Sequence, residues 1–245
     1  MIPLKDNIPS ERIPFINYIL IGLNVIVFFI ELAQGQQIND FINRFGLIPS
    51  LVTAGIHGPR YEILPFFTSM FLHGGWMHII GNMLFLWIFG DNVEDRMGHF
   101  FYVLFYLGSG IGASLLHIAT APGSTIPTVG ASGAIAGVMG AYLVLYPRAR
   151  VLTAVIIIYI IRMMEIPAIV FLGLWFLMQF IMGVATAAST GATGGIAFWA
   201  HVGGFLVGLV GGGIAKLFTR GGRPKRLSKR PRVEVITKEG KRYWH

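Results

Sequence analysis

The chain has 245 residues, 54% of them hydrophobic and only 12% charged, with a mean hydropathy of +0.68, which excludes an ordinary soluble domain and points to several membrane spans. The sequence contains no cysteine, so disulfides, thiolate metal sites and cysteine nucleophiles are excluded. The net charge of +8 would suit a nucleic acid, but ten of the nineteen Lys and Arg lie in the last 26 residues, beyond the final apolar run, and read as a cytoplasmic tail facing anionic lipid.

Residues 1–13 form a short polar lead with Lys5 and Arg12. Phe15 to Ala33 is the first predicted span, nineteen residues long and too long for a signal peptide, with no small-x-small cleavage site. The long loop from Gln34 to Gly75 is broken by Asp40, Arg44, His57, Gly58, Pro59, Arg60 and Glu62. Its apolar clusters, Phe41–Pro49 and Ile63–Leu72, predict an interfacial or partly embedded structure. The second span runs from Trp76 to Val93 and ends among Asp91, Glu94, Asp95 and Arg96. The third, His99 to Thr120, carries Gly108, Ser109, Gly110 and Gly112, small residues that permit close helix approach. An uncharged Pro/Gly/Ser/Thr loop then leads to the fourth span, Ser132 to Tyr146, which Pro147 stops.

Val151 to Ile161 is eleven residues long, which as a helix is about 16 Å, half of a roughly 30 Å hydrocarbon core. Bracketed by Arg150 and Arg162, it reads as interfacial. The fifth span is Ile166 to Val184, a small-residue loop covers Ala185 to Gly195, and the sixth span is Ile196 to Phe218. In the tail, Arg232–Thr237 alternates in the manner of a strand. The expected fold is therefore all-α, a six-span bundle over residues 14–218 with a basic tail at 219–245. Six spans put both termini on one side. Seventeen of the nineteen basic residues then fall inside and only Arg44 and Arg60 outside, which places the termini in the cytoplasm.

With that orientation the second, fourth and sixth spans all run inward, and each carries polar residues near its start: His78 and Asn82, Ser132, and His201. His78 and Asn82 are four apart and share a helix face. The fourth span is about 22 Å long, so Ser132 starts roughly 7 Å below the outer edge of the hydrocarbon. His201 lies about 6 Å below the start of its helix. Taken singly, Ser132 reads as a helix N-cap, and His201 and Asn82 as interhelical packing contacts. Together, at one depth on parallel helices, they are the parts of a nucleophile, a proton acceptor and an oxyanion hole. Gly133-x-x-x-Gly137 and Gly204-x-x-x-Gly208-x-x-x-Gly212 would let the fourth and sixth backbones approach closely enough for His201 to reach Ser132. No Asp or Glu stands near the outer ends of these two spans, which leaves a Ser-His dyad and no triad. A His-Glu-x-x-His zinc motif and an outer aspartate pair are both missing, and His73 and His78, five apart, are poorly spaced as two ligands on one face.

Three segments, His73-Gly-Gly-Trp-Met-His78-Ile-Ile-Gly81-Asn82, Gly130-Ala-Ser132-Gly133 and Ala200-His201-Val-Gly203-Gly204, resemble the motifs of the rhomboid family of intramembrane serine proteases. They stand in that family's order, on the second, fourth and sixth spans, and the resemblance covers roughly residues 15–218. It implies Ser132 as nucleophile, His201 as general base, and His78, Asn82 and the Ser132 backbone N–H around the oxyanion, with Gly130, Gly133 and Gly204 in supporting positions. It implies transmembrane protein substrates cut in or near the lipid bilayer, often after a small residue, with no cofactor and no metal. Glu94 matches a family position that looks structural. Ala136 stands where some members carry an aromatic that stacks on the histidine, and Leu64-Pro65 where some carry Trp-Arg. A catalytically inactive relative acting as a membrane scaffold, and a small transporter, are the alternatives, and the compact layout suggests a bacterial or archaeal cell membrane. No nucleic-acid partner is expected, and oligomeric state is left open.

Overall fold

A computed structural model describes residues 1–55, 63–157, 160–188, 197–218, 234–236 and 242–244. The chain enters through strand β1 (Ile2–Asp6) and helix α1 (Phe15–Ala33). Short helices α2 (Ile38–Phe45), α3 (Pro49–Thr53) and α4 (Leu64–Thr68) follow in the long first loop. Then come α5 (Trp76–Met97), α6 (His99–Thr120) and α7 (Ser132–Leu145), the hairpin β2 (Arg150–Ile157) and β3 (Ile160–Pro167), and α8 (Ala168–Ala188) and α9 (Phe198–Phe218). A small pair, β4 (Glu234–Ile236) and β5 (Arg242–Trp244), lies in the tail, where alternation predicted a strand. Among the described residues four helices, namely α1, α6, α8 over Ala168–Thr186, and α9, are long and apolar enough to cross a membrane. α5 carries Asp91, Glu94, Asp95 and Arg96 near its end, and α7 has only 14 residues.

The core sits around α7, whose residues Gly133 to Tyr142 are all buried. A helix that is apolar on every side is stable only when wrapped by others. α9 packs along it with almost no side chains between the backbones. A Cβ added at Gly204 would collide with the Gly133 carbonyl oxygen, one at Gly208 with the Gly137 carbonyl oxygen, and one at Gly212 would lie 2.8 Å from the Ala141 Cα. These contacts ascend together, so α7 and α9 run parallel. α5 continues past the expected end at Val93 to Met97, where Gly98, at φ 79°, ends it and allows α6 to start at once.

The chain is mostly helical but not all-α. The segment Val151–Ile161, expected as an interfacial helix, forms β2 and the start of β3, with residues 158 and 159 outside the described set. Val151, Thr153, Val155, Ile156, Ile157, Ile160 and Ile161 are β-branched, a composition that favours a pleated strand over a helix. β1, from the polar lead, pairs antiparallel with β2 (Pro3 opposite Thr153, Asp6 opposite Val151) and completes a three-stranded sheet in the order β1-β2-β3. Asp6 ties that sheet to the C-terminal ends of two helices. Its Oδ2 accepts from the Tyr142 hydroxyl at 2.5 Å and from Asn92 Nδ2 at 3.0 Å.

The carboxylates at the end of α5 organise the entry of the chain. α1 has no side-chain cap of its own, and Glu94 supplies one, accepting from the backbone N–H groups of Ile16 (3.1 Å) and Asn17 (2.7 Å). Asp95 accepts from the N–H groups of Glu11 and Arg12, and Asp91 from the Ser10 hydroxyl. In the first loop Leu47 is buried and Leu64, on α4, is exposed. Residues His57 to Glu62 of that loop, residues 189–195 of the loop expected over Ala185–Gly195 (whose first four residues extend α8 instead), the start of the sixth span and most of the basic tail lie outside the described residues.

Candidate active site

Helix α7 starts at Ser132 because the loop before it is pinned on both sides. Leu47 and Thr128 exchange backbone hydrogen bonds at 3.1 and 2.7 Å, and the Gly130 N–H donates to the Ser69 carbonyl at 2.9 Å. Gly130 has φ 127°, a conformation that costs a side-chain-bearing residue dearly. A Cβ there would also sit 2.7 Å from His78 Nε2, so the glycine brings the His78 ring against the backbone two residues before Ser132.

Across the α7–α9 contact, Ser132 Oγ lies 2.8 Å from His201 Nε2. His201 is in the first turn of α9 and buried. Its other ring nitrogen, Nδ1, lies 2.8 Å from Oε1 of Gln179 on α8. An amide oxygen only accepts, so Nδ1 carries the proton and Nε2 is left with a lone pair for the serine hydroxyl. Ala136 is fully buried and offers no ring to the histidine. An aromatic comes from another helix: the Trp175 ring on α8 lies 5.7 Å from the His201 ring at 37°.

On the far side of Ser132 stand the two α5 residues. The backbone N–H of Gly74 donates to His78 Nδ1 at 3.3 Å. A neutral His78 therefore holds its own proton on Nε2, the atom that faces Gly130. Asn82, one turn on, is buried, and its Nδ2 has no partner among the described residues. Neither hydrogen-bonds Ser132 directly among the described residues; His78 lies against Gly130, and Asn82, four residues on, shares its helix face. Gly133 and Gly204 stand directly at the α7–α9 crossing beside the Ser132–His201 pair. Geometrically the cluster contains a hydroxyl on an imidazole, an orienting acceptor behind that imidazole, and donors opposite.

A protein-family model described as "Rhomboid domain" matches residues 60–216. The chain belongs to the rhomboid family. Among its relatives, the rhomboid protease GluP of Bacillus subtilis is 33% identical over 157 residues, 61% of this chain and 29% of that protein. Rhomboid protein 1, mitochondrial, of Saccharomyces cerevisiae is 29% identical over 217 residues, 86% of this chain and 56% of its own length. Rhomboid-like protein 11, chloroplastic, of Arabidopsis thaliana is 43% identical over 72 residues, 29% of this chain and 25% of its own. The chain thus spans less than two thirds of each of these relatives. With its four long apolar helices, this rhomboid is an integral membrane protein.

Trp175, Gln179 and Glu31, all at this candidate site, were not singled out in the sequence. Gln179 is a lone amide in the apolar run Phe176-Leu-Met-Gln-Phe-Ile181, and the one available signal was that a solitary polar group at that depth needs a partner. Glu31, buried on α1, accepts the His73 backbone N–H with both oxygens at 3.0 and 3.1 Å and so fixes the chain as it turns into α5. The ring of His73 meets that of His78 edge-on, 5.1 Å away, extending this wall of the site.

Proposed function

We propose that the protein is an intramembrane serine endopeptidase that hydrolyses peptide bonds in or near the membrane-spanning segments of other proteins. The observation that carries this reading is the 2.8 Å contact between Ser132 Oγ and His201 Nε2, made by two parallel helices whose backbones touch. Ser132 Oγ attacks the substrate carbonyl as its proton passes to His201 Nε2. The oxygen that becomes negative is held by His78, Asn82 and the Ser132 backbone N–H at the free start of α7. Collapse of the tetrahedral intermediate breaks the C–N bond, and His201 returns the proton to the leaving amine. Water then repeats the sequence on the acyl-enzyme, releasing the acid and restoring the serine.

The reading includes six spans, α1 and α5 to α9, over residues 14–218, with a lead at 1–13 and a basic tail at 219–245, and with both termini cytoplasmic. The distribution of basic residues, seventeen against two, supports that orientation. The relatives come from a bacterium, mitochondria and a chloroplast, so the reading specifies a bilayer and no particular organism. The substrates proposed are membrane proteins presented to the site by the lipid around it, with no metal or cofactor in the reaction. Incubating the purified protein with a transmembrane reporter tests this directly. Cleavage is expected from the wild type and not from Ser132→Ala, and a Ser132→Ala protein that cuts at the wild-type rate would end the proposal.

A further inference from the structure

We propose that Gln179 is a positioning residue of this site, which together with Trp175 holds the ring of His201 in the tautomer and orientation that leave Nε2 free to take the serine proton. The proposal rests on the reading of Ser132 as nucleophile and goes beyond the two-residue machinery by adding a third helix to it.

Gln179 is only 5% exposed and sits between apolar neighbours on α8. Burying an amide in such surroundings is unfavourable unless its polar atoms are bonded. The bond it makes is to His201, at 2.8 Å and with good donor–acceptor sense. A neutral imidazole has one N–H and one lone pair, so an acceptor behind Nδ1 decides which nitrogen faces Ser132. In serine hydrolases with an acid at this position the same task is done by a carboxylate. Gln179 does it without placing a charge in the membrane, which fits the absence of Asp and Glu near the starts of α7 and α9.

The second support is steric. Ala136 leaves the His201 ring uncovered from the side of α7, and the Trp175 ring covers it from α8. Trp175 and Gln179 are four residues apart and share one face of that helix. Both constraints on the imidazole therefore come from α8, while Leu174, Leu177 and Met178 on its other faces are exposed to the surroundings.

The test uses the full-length protein in detergent or lipid nanodiscs, with labelled histidine, and follows both cleavage kinetics and the nitrogen resonances of His201, assigned by their loss in His201→Ala. In the wild type Nδ1 is expected to carry the proton. Gln179→Met, which keeps the volume and removes the acceptor, should lower kcat roughly tenfold, the worth of one hydrogen bond of ordinary strength, while KM stays within about twofold. Its His201 proton should shift toward Nε2. Gln179→Glu keeps an acceptor oxygen and should retain the Nδ1–H form and recover most of the turnover. A wild-type His201 protonated on Nε2, or a Gln179→Met protein with unchanged kcat and unchanged resonances, would overturn the proposal. Absence of any Ser132-dependent cleavage by the wild type would overturn the protease reading instead, while the resonances would still decide the role of Gln179.

Discussion

Gly204 and Gly133 touch through their backbones: a side chain on the first would occupy the carbonyl oxygen of the second. Ser132 precedes one of these glycines and His201 the other by three residues, so the distance between hydroxyl and imidazole is set by main-chain contact. Gly204→Ala is expected to push α9 outward, destabilise the fold by about 1–3 kcal/mol and reduce turnover roughly 100-fold, as displacements of about 1 Å do in other active sites. Gly213→Ala is the control, because a Cβ at Gly213 meets nothing within 4 Å. It should leave the reporter cleavage rate unchanged. Comparing the two in the same cleavage and thermal-unfolding assays checks the argument.

Asn82 has an amide nitrogen without a partner among the described residues, and His78 presents Nε2–H beside Gly130. If these donors serve the oxyanion, Asn82→Ala and His78→Ala should each lower kcat about 10²- to 10³-fold, with KM little changed. The double variant should lose less than the product of the two, because both act on one developing charge. Steady-state kinetics on a single reporter measures all three.

Glu94 is fully buried and satisfies the first amides of α1 from a different helix, with His99 Nδ1 2.5 Å away. Glu94→Ala is expected to cost about 1–2 kcal/mol or more, the scale of a lost helix cap with its amides left unpaired. The effect should appear as a lower unfolding temperature, with kcat per folded molecule close to wild type. A large fall in kcat without a fall in stability would contradict the structural role assigned to this carboxylate.

Burial raises the Asp6 carboxyl to about 7, with the nearby Asp91 adding to the effect and the Tyr142 hydroxyl opposing it. A carboxyl whose pKa is higher in the folded than in the unfolded state favours folding while it is protonated. Its contribution is complete below the ordinary carboxylate value near 4 and fades as pH rises toward about 7. The attachment of β1 to α5 and α7 should therefore loosen across that interval. Asp6→Asn should flatten the dependence. Unfolding temperatures from pH 4 to pH 8, for both proteins, test the sign.

Much of this arrangement was legible in the sequence because membrane burial writes long apolar runs, and polar groups within them stand out. Ser132 and His201 were recognisable since each opens a helix running in the same direction, and the structure joins them. The sheet was hidden for two reasons. Val151–Ile161 has the length and arginine borders of a short interfacial helix, and only its β-branched composition argued for strands. Its partner, β1, lies about 150 residues earlier, and no local pattern announces a pairing over that distance. Gln179 was hidden in the opposite way. One amide in an apolar run forms no motif, and its meaning depends on which face of α8 turns toward His201.

The supports of His201 also change where such a protein is vulnerable. A small molecule that wedges α8 away from α9 would strip the imidazole of both Gln179 and Trp175 at once, and Ser132 would stay chemically intact but less well served by its base. Inhibitors of this kind would need no electrophile and no resemblance to a peptide. They would be selected by how well they fit between two apolar helices, not by reactivity toward a serine.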